Sequence, residues 1–249
     1  MRKEIRPRIS TAEYDLLREW REDKLDNTLV IGDLHAPFVK KGYLEFCKEM
    51  YIRWRCNRVV FIGDIIDNHY SSYHEADPDG HSAAMELQLA KEQIAGFYEA
   101  FPDAYVCLGN HDLLPDRKRF SAGLSKSWVR SIGEVLDTPR WKYAEEWEFD
   151  GVLYVHGVGR RARNRCMQEF KSIVQGHYHS DSSIEYFCND EKLLFALQVG
   201  CGVDREAYAM AYAKYFKKPQ INVGIVADRG RKAFIEPMRL GETQNFVKM

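Results

Sequence analysis

An α/β fold of two packed β-sheets with helices outside is predicted by three features of the sequence. The first half alternates short apolar strands with amphipathic helices, the second half is rich in strands, and no repeat, low-complexity tract or linker divides them. At 249 residues the chain can bury a sizeable core. The expectation is one domain over 1–249, with 1–26 a helical extension packed on it.

Ser10 and Glu13 have capping-box spacing, and Tyr14, Leu17 and Trp20 share one helical face, so 11–24 reads as an amphipathic helix. A short strand over 28–31 (TLVI) runs into Gly32-Asp33-Leu34-His35. Cys47, Met50, Tyr51 and Trp54 mark the buried face of the next helix, and the β-branched run 59–62 completes a β-α-β unit ending in Gly63, Asp64 and Asp67. The polar stretch 68–82, broken by Pro78 and Gly80, reads as a loop. A helix carrying Leu87, Ala90, Ile94 and Phe97 follows, then a third strand over 104–108 ending in Gly109-Asn110-His111-Asp112.

The stretch 113–140 is mixed, with Trp128, Val129 and Ile132 suggesting a helix. Asp150-Gly151 between two apolar strands is a hairpin signal, and the second strand ends in His156-Gly157. Strands are expected over 172–175, leading into Gly176-His177-Tyr178-His179, and over 184–188, 193–199 and 221–227.

Charge alone points to no partner. Lys plus Arg (36) nearly balance Asp plus Glu (37), for a formal net charge of −1. The six scattered cysteines include no CxxC pair and read as reduced core thiols of a cytoplasmic protein. The basic start of the chain leads into no apolar stretch, and nothing approaches the roughly 18 apolar residues of a membrane span, so neither secretion nor a membrane is expected.

The chemistry lies at the strand ends. Asp33, His35, Asp64, Asp67, Asn110, His111, His156, His177 and His179 are all oxygen or imidazole donors, and five of the chain's eight histidines are among them. Carboxylates at the mouth of a buried strand are costly to desolvate unless a cation compensates. Donors without thiolate suit manganese, and also Fe, Zn, Ni or Mg. So many ligands exceed one ion's needs, whereas two ions about 3.5–4 Å apart could use them and would clamp the attacking and leaving oxygens of a phosphoryl displacement.

The ordered set GDLH (32–35), GDIID (63–67), GNHD (109–112), VHG (155–157) and GHYH (176–179) resembles the calcineurin-like metallophosphoesterases. The resemblance implies a four-layer α/β/β/α sandwich of two mixed sheets. It assigns Asp33, His35 and His179 to one metal, Asn110, His156 and His177 to the other, and Asp64 as their bridge. His111 becomes the catalytic imidazole and Asp67 its orienting partner.

The implied activity is hydrolysis of phosphodiesters by a two-metal-activated hydroxide, with nucleotides or nucleic acid as candidate substrates. The alternatives are a phosphomonoesterase and, in another class, a catalytically silent metal-binding scaffold. In the family's phosphoprotein phosphatases Arg-Gly follows the second motif and Gly the first. Here Asn68-His69 and Ala36-Pro37 stand instead, which disfavours a phosphoprotein and favours the phosphodiesterase and nuclease branches. Arg160, Arg161 and Arg163 after His156, Arg117 after GNHD, and His69 and His81 in the polar loop are the candidate substrate contacts.

Overall fold

The computed structural model describes residues 10, 26–71, 80–204, 206 and 218–239. The helix expected over 11–24, and Tyr73 and His74 of the polar loop, lie outside them.

The first sheet starts with β1 (Thr28–Ile31), whose four residues are all buried. Helix α1 (Tyr43–Arg53) returns the chain to β2 (Arg58–Phe61), and α2 (Ala83–Ala100) returns it to β3 (Tyr105–Cys107). Both crossovers join parallel neighbours, as strand–helix–strand units require. Ser82 starts α2 by accepting the Met85 N–H through its hydroxyl (3.3 Å). Two short helices, α3 (Leu114–Ser121) and α4 (Ile132–Val135), precede the parallel edge strand β4 (Lys142–Ala144).

The second sheet opens with β5 (Glu146–Phe149) and β6 (Val152–Val155), joined by Asp150 and Gly151 with φ of 54° and 73°. This pair of positive angles is the turn that matches strand twist. Helix α5 (Ala162–Glu169) leads to β7 (Ser172–Gln175), followed by β8 (Ser183–Cys188) and β9 (Leu193–Gln198), giving the order β5-β6-β7-β9-β8. The chain then rejoins the first sheet as β10 (Asn222–Ala227) and β11 (Lys232–Pro237), completing the order β11-β10-β1-β2-β3-β4.

Strand alternation sets the layers. Leu29, Ile31, Val59 and Phe61 face α1 and α2, packing with Cys47, Met50, Ile94 and Phe97. Val30, Val60 and Ile62 face the other way, meeting Tyr154, Val174, Phe195 and Leu197 between the sheets. Leu153 and Ile173, on the outer face of the second sheet, pack under Ala162 and Cys166 of α5. The result is helix, sheet, sheet, helix, with both sheets mixed.

All six cysteines are free thiols, and only Cys188 is exposed. Among the described residues no helix is long and apolar enough to cross a membrane.

Candidate metal centre

Every predicted donor sits on a loop leaving the carboxyl end of a strand. β1, β2 and β3 of the first sheet deliver Asp33 and His35, Asp64 and Asp67, and Asn110 and His111. β6 and β7 of the second deliver His156, then His177 and His179. The chain turns sharply to aim them: His35, Asp64, Asn68 and His177 are non-glycine residues at φ of 46°, 45°, 51° and 70°. Such left-handed angles carry a conformational cost and cluster at functional sites.

The loops approach so closely that two motif glycines cannot carry a side chain. A Cβ at Gly109 would lie 2.1 Å from Asp64 Oδ1, and one at Gly63, already at φ 108°, would lie 2.6 Å from the His156 ring.

The donors gather into two groups. In one, His179 Nε2 is 3.1 Å from both His35 Nε2 and Asp33 Oδ2. In the other, His156 Nε2 is 3.1 Å from His177 Nδ1 and 3.0 Å from Asn110 Oδ1. Asp64 stands between the groups, its Oδ2 3.2 Å from His156 Nε2 and 3.6 Å from His35 Nε2.

This geometry fits a pair of cations. Ligand atoms held at about 2.1 Å from one ion sit roughly 3 Å from their neighbours, the spacing seen here. Asp33, Asp64 and Asp67 are at most 2% exposed, and among the described residues no lysine or arginine pairs with them. Buried anions of this kind need compensating positive charge.

The imidazoles are pre-aimed by their second nitrogens. His35 Nδ1 donates to Asp67 Oδ1 (2.5 Å) and His156 Nδ1 to the Ile62 carbonyl (3.1 Å), leaving each Nε2 lone pair facing the cluster. His177 is fixed through its backbone, whose N–H donates to Asp33 Oδ2 (3.0 Å).

Protonation follows burial and neighbouring charge. Burial lowers the pKa of His35 against the opposing pull of Asp67, and burial with the adjacent His156 lowers that of His177. Burial works against an ionised Asp64, yet His156, aided by His35 and His111, holds its carboxyl well below the usual range. The same pairing overcomes the lowering effect of burial on His156, which Asp64 and Asp33 push up to about 9. A cation bound between the groups would take over the charge pairing that His156 gives Asp64. Burial lowers His111 too, but Asp64 and the Asp67 carbonyl move it upward on balance.

The structure divides Asp67 between two tasks. Its carboxylate meets His35, while His111 Nδ1 donates to its backbone carbonyl at 2.5 Å and stays 3.7 Å from its Oδ1. His111 is further anchored by its own N–H, which donates to Asp64 Oδ1 (2.8 Å).

Two positioning residues escaped the sequence reading. Asp112 is buried, and its carboxylate accepts the N–H groups of Gly109 (2.9 Å) and Ile65 (3.0 Å), tying the GNHD loop to the GDIID loop. Burial and the charge of Asp64 push it up to about 7. Asn68 donates from Nδ2 to the His111 carbonyl (3.0 Å). The signal for Asp112 was the last letter of GNHD itself, set beside two stronger ligand candidates.

The candidate substrate residues are dispersed. His69 is buried in a single 3-10 turn (His69–Ser71), with Nδ1 3.8 Å from Asp67 Oδ2. His81 is exposed and lines an open depression with Pro37, Phe38 and Gln93. Arg117 is exposed on α3. The arginines after His156 are matched locally: Arg160 bonds Gln168, Arg161 pairs with Asp181 (3.2 Å), and Arg163 pairs with Glu185. Their neighbour Arg165 pairs with Glu169 (2.5 Å) and Glu146 (3.2 Å).

No curated protein matches the chain. Among solved structures, Vacuolar Protein Sorting 29 from Cryptosporidium parvum is similar at 16% identity, covering 88% of this chain and 95% of its own, with a TM-score of 0.48. YfcE, a phosphoesterase from E. coli, is 12% identical over 80% of this chain and 87% of its own, with a TM-score of 0.37. The nuclease MPE from Pseudomonas putida is 11% identical over 84% and 87%, with a TM-score of 0.33. The calcineurin-like phosphoesterase model matches residues 27–221, a span that contains all five motif loops and both sheets up to the start of β10. The chain belongs to the calcineurin-like phosphoesterase family.

Proposed function

We propose that the chain is a hydrolase of phosphodiesters, acting on nucleotides or nucleic acid through a site that takes two divalent cations, manganese first among them. The observation that carries this reading is Asp64, a buried carboxylate between two donor groups that each converge on a point. Bound there, a pair of divalent cations supplies Lewis acidity and makes water nucleophilic near neutral pH.

The chain's own residues supply the remainder. Asp33, His35 and His179 form one cradle, and Asn110, His156 and His177 the other. Asp67 and the Ile62 carbonyl fix the tautomers of His35 and His156, so neither ring must reorient to ligate. His111 donates from Nδ1 to the Asp67 carbonyl, which leaves Nε2 to protonate the leaving oxygen or steady the phosphoryl charge. The presence of this imidazole, held at two points, favours turnover over a silent scaffold.

With manganese added, a bis-aryl phosphate is expected to be hydrolysed faster than the corresponding mono-aryl phosphate. A reversed ratio would replace the diesterase with a phosphomonoesterase. No turnover of either ester, with metal bound, would leave the scaffold reading.

A further inference from the structure

The segment after the GNHD loop has a surface that the metal centre does not use. Helix α3 starts from that loop, with the Leu114 N–H on the His111 carbonyl (3.1 Å), and its eight residues span about 12 Å. Residues 120–128 are then all exposed, and three are large and apolar: Phe120 at 78%, Leu124 at 50% and Trp128 at 81%.

Hydrogen bonds brace this turn. Arg119 donates to the Leu124 carbonyl (2.5 Å) and to Asp116 (2.8 Å), and Ser125 caps the 3-10 turn Lys126–Trp128. Two aromatic side chains are therefore displayed on a built turn, where they contribute little to the core.

Charge identifies the occupant. Over 117–130 the chain carries Arg117, Lys118, Arg119, Lys126 and Arg130 and no acidic residue, in a protein whose formal net charge is −1. Of the arginines after His156, Arg161, Arg163 and Arg165 pair with acids and Arg160 bonds Gln168; on the α3 segment it is Arg119 that pairs with an acid, Asp116. Basic side chains interleaved with outward aromatic faces match a phosphate backbone whose bases are free to stack. A duplex hides its base faces, and an acidic peptide would use the charge alone.

We infer that residues 117–130 form a platform for single-stranded nucleic acid, with bases stacked on Phe120 and Trp128 and phosphates held by Arg117, Lys126 and Arg130. The platform leads the strand to the metal centre. The choice of polyanion rests on the diesterase reading.

The test is fluorescence anisotropy of labelled oligothymidine and oligouridine with the full-length protein in chelator, which prevents cleavage. A hairpin duplex of equal length and polyglutamate serve as comparators. Trp128→Ala and Phe120→Ala should each weaken binding of the single strands about 5- to 150-fold, the equivalent of about 1–3 kcal/mol per stacked base. Trp128→Phe should restore most of it, and all three variants should hydrolyse a bis-aryl phosphate at the unmodified rate. Tight binding of only one of the two strands assigns the platform to DNA or RNA.

Single-strand binding indifferent to both alanine changes would overturn the platform. So would a tighter, aromatic-independent grip on the duplex, or polyglutamate binding with the same dependence on Trp128. Failure of the diesterase reading is separate: it would appear as no bis-aryl phosphate hydrolysis by the unmodified protein, whatever its affinity for the strands.

Discussion

Asp64→Asn is expected to remove bound metal and hydrolysis together. The carboxylate lies 3.2 Å and 3.6 Å from imidazole nitrogens of the two donor groups, so one change withdraws a negative oxygen from both. Asparagine keeps the shape but puts a neutral amide where two cations would share charge. Metal content measured by mass spectrometry should fall well below the roughly two ions per chain of a paired site, and bis-aryl phosphate turnover should fall to background.

Gly109→Ala reaches the same residue sterically. Its Cβ would lie 2.1 Å from Asp64 Oδ1 and 2.4 Å from the Asp64 backbone nitrogen, so the carboxylate must shift. Thermal unfolding in chelator separates a lost site from a lost fold. Asp64→Asn breaks the buried pairing with His156, so the metal-free melting temperature should fall while unfolding stays one cooperative transition, the mark of a retained fold. Full metal occupancy in Asp64→Asn would remove Asp64 from its bridging position.

His111→Ala should keep the metal and lose the rate. Both donor groups are complete without the His111 side chain, and the N–H that donates to Asp64 Oδ1 belongs to the backbone and survives the change. What disappears is the imidazole on the Asp67 carbonyl and its edge contact with the His35 ring, 4.5 Å between centroids. Loss of a general acid typically costs about 10²- to 10⁴-fold in turnover. Steady-state kinetics with manganese beside a metal assay on the same sample read both quantities. Unchanged turnover, or metal lost along with rate, would assign His111 a different part.

The strands were readable where an apolar run is closed by glycine. β1, β2 and β7 are fully or almost fully buried, and each ends where Gly32, Gly63 or Gly176 lets the chain turn. The two edge strands of the first sheet escaped for the opposite reason. β4 has three residues, and β11 exposes Lys232, Phe234 and Pro237 while burying only Ala233, so neither carries an apolar run. Helix α5 hid inside an arginine-rich run because only Ala162 and Cys166, four apart, face the sheet. Trp128, Val129 and Ile132 suggested one helix, yet Val129 is extended and separates the 3-10 turn Lys126–Trp128 from α4, leaving the indole outside.

For the site, residue type and order along the chain were legible, and the structure brings the donors from five loops together. Their division of labour was not. Whether Asp67 meets His35 or His111, and by carboxylate or carbonyl, depends on how one loop registers against another, as do the clasp of Asp112 and the bond from Asn68.

Because the donors come from both sheets, the centre also fastens the sandwich at one end. Asp33, His35 and Asp64 belong to the first sheet, and His156, His177 and His179 to the second, so each donor group has members on either side of the apolar interior. Whatever occupies the groups resists the parting of the sheets. A ligand present at 100 times its dissociation constant adds about 2.7 kcal/mol to the folded state. Chelation should therefore lower the melting temperature and speed amide exchange where β6 and β7 meet their ligand loops, so that metal supply would set how long the folded chain persists as well as whether the proposed hydrolysis runs.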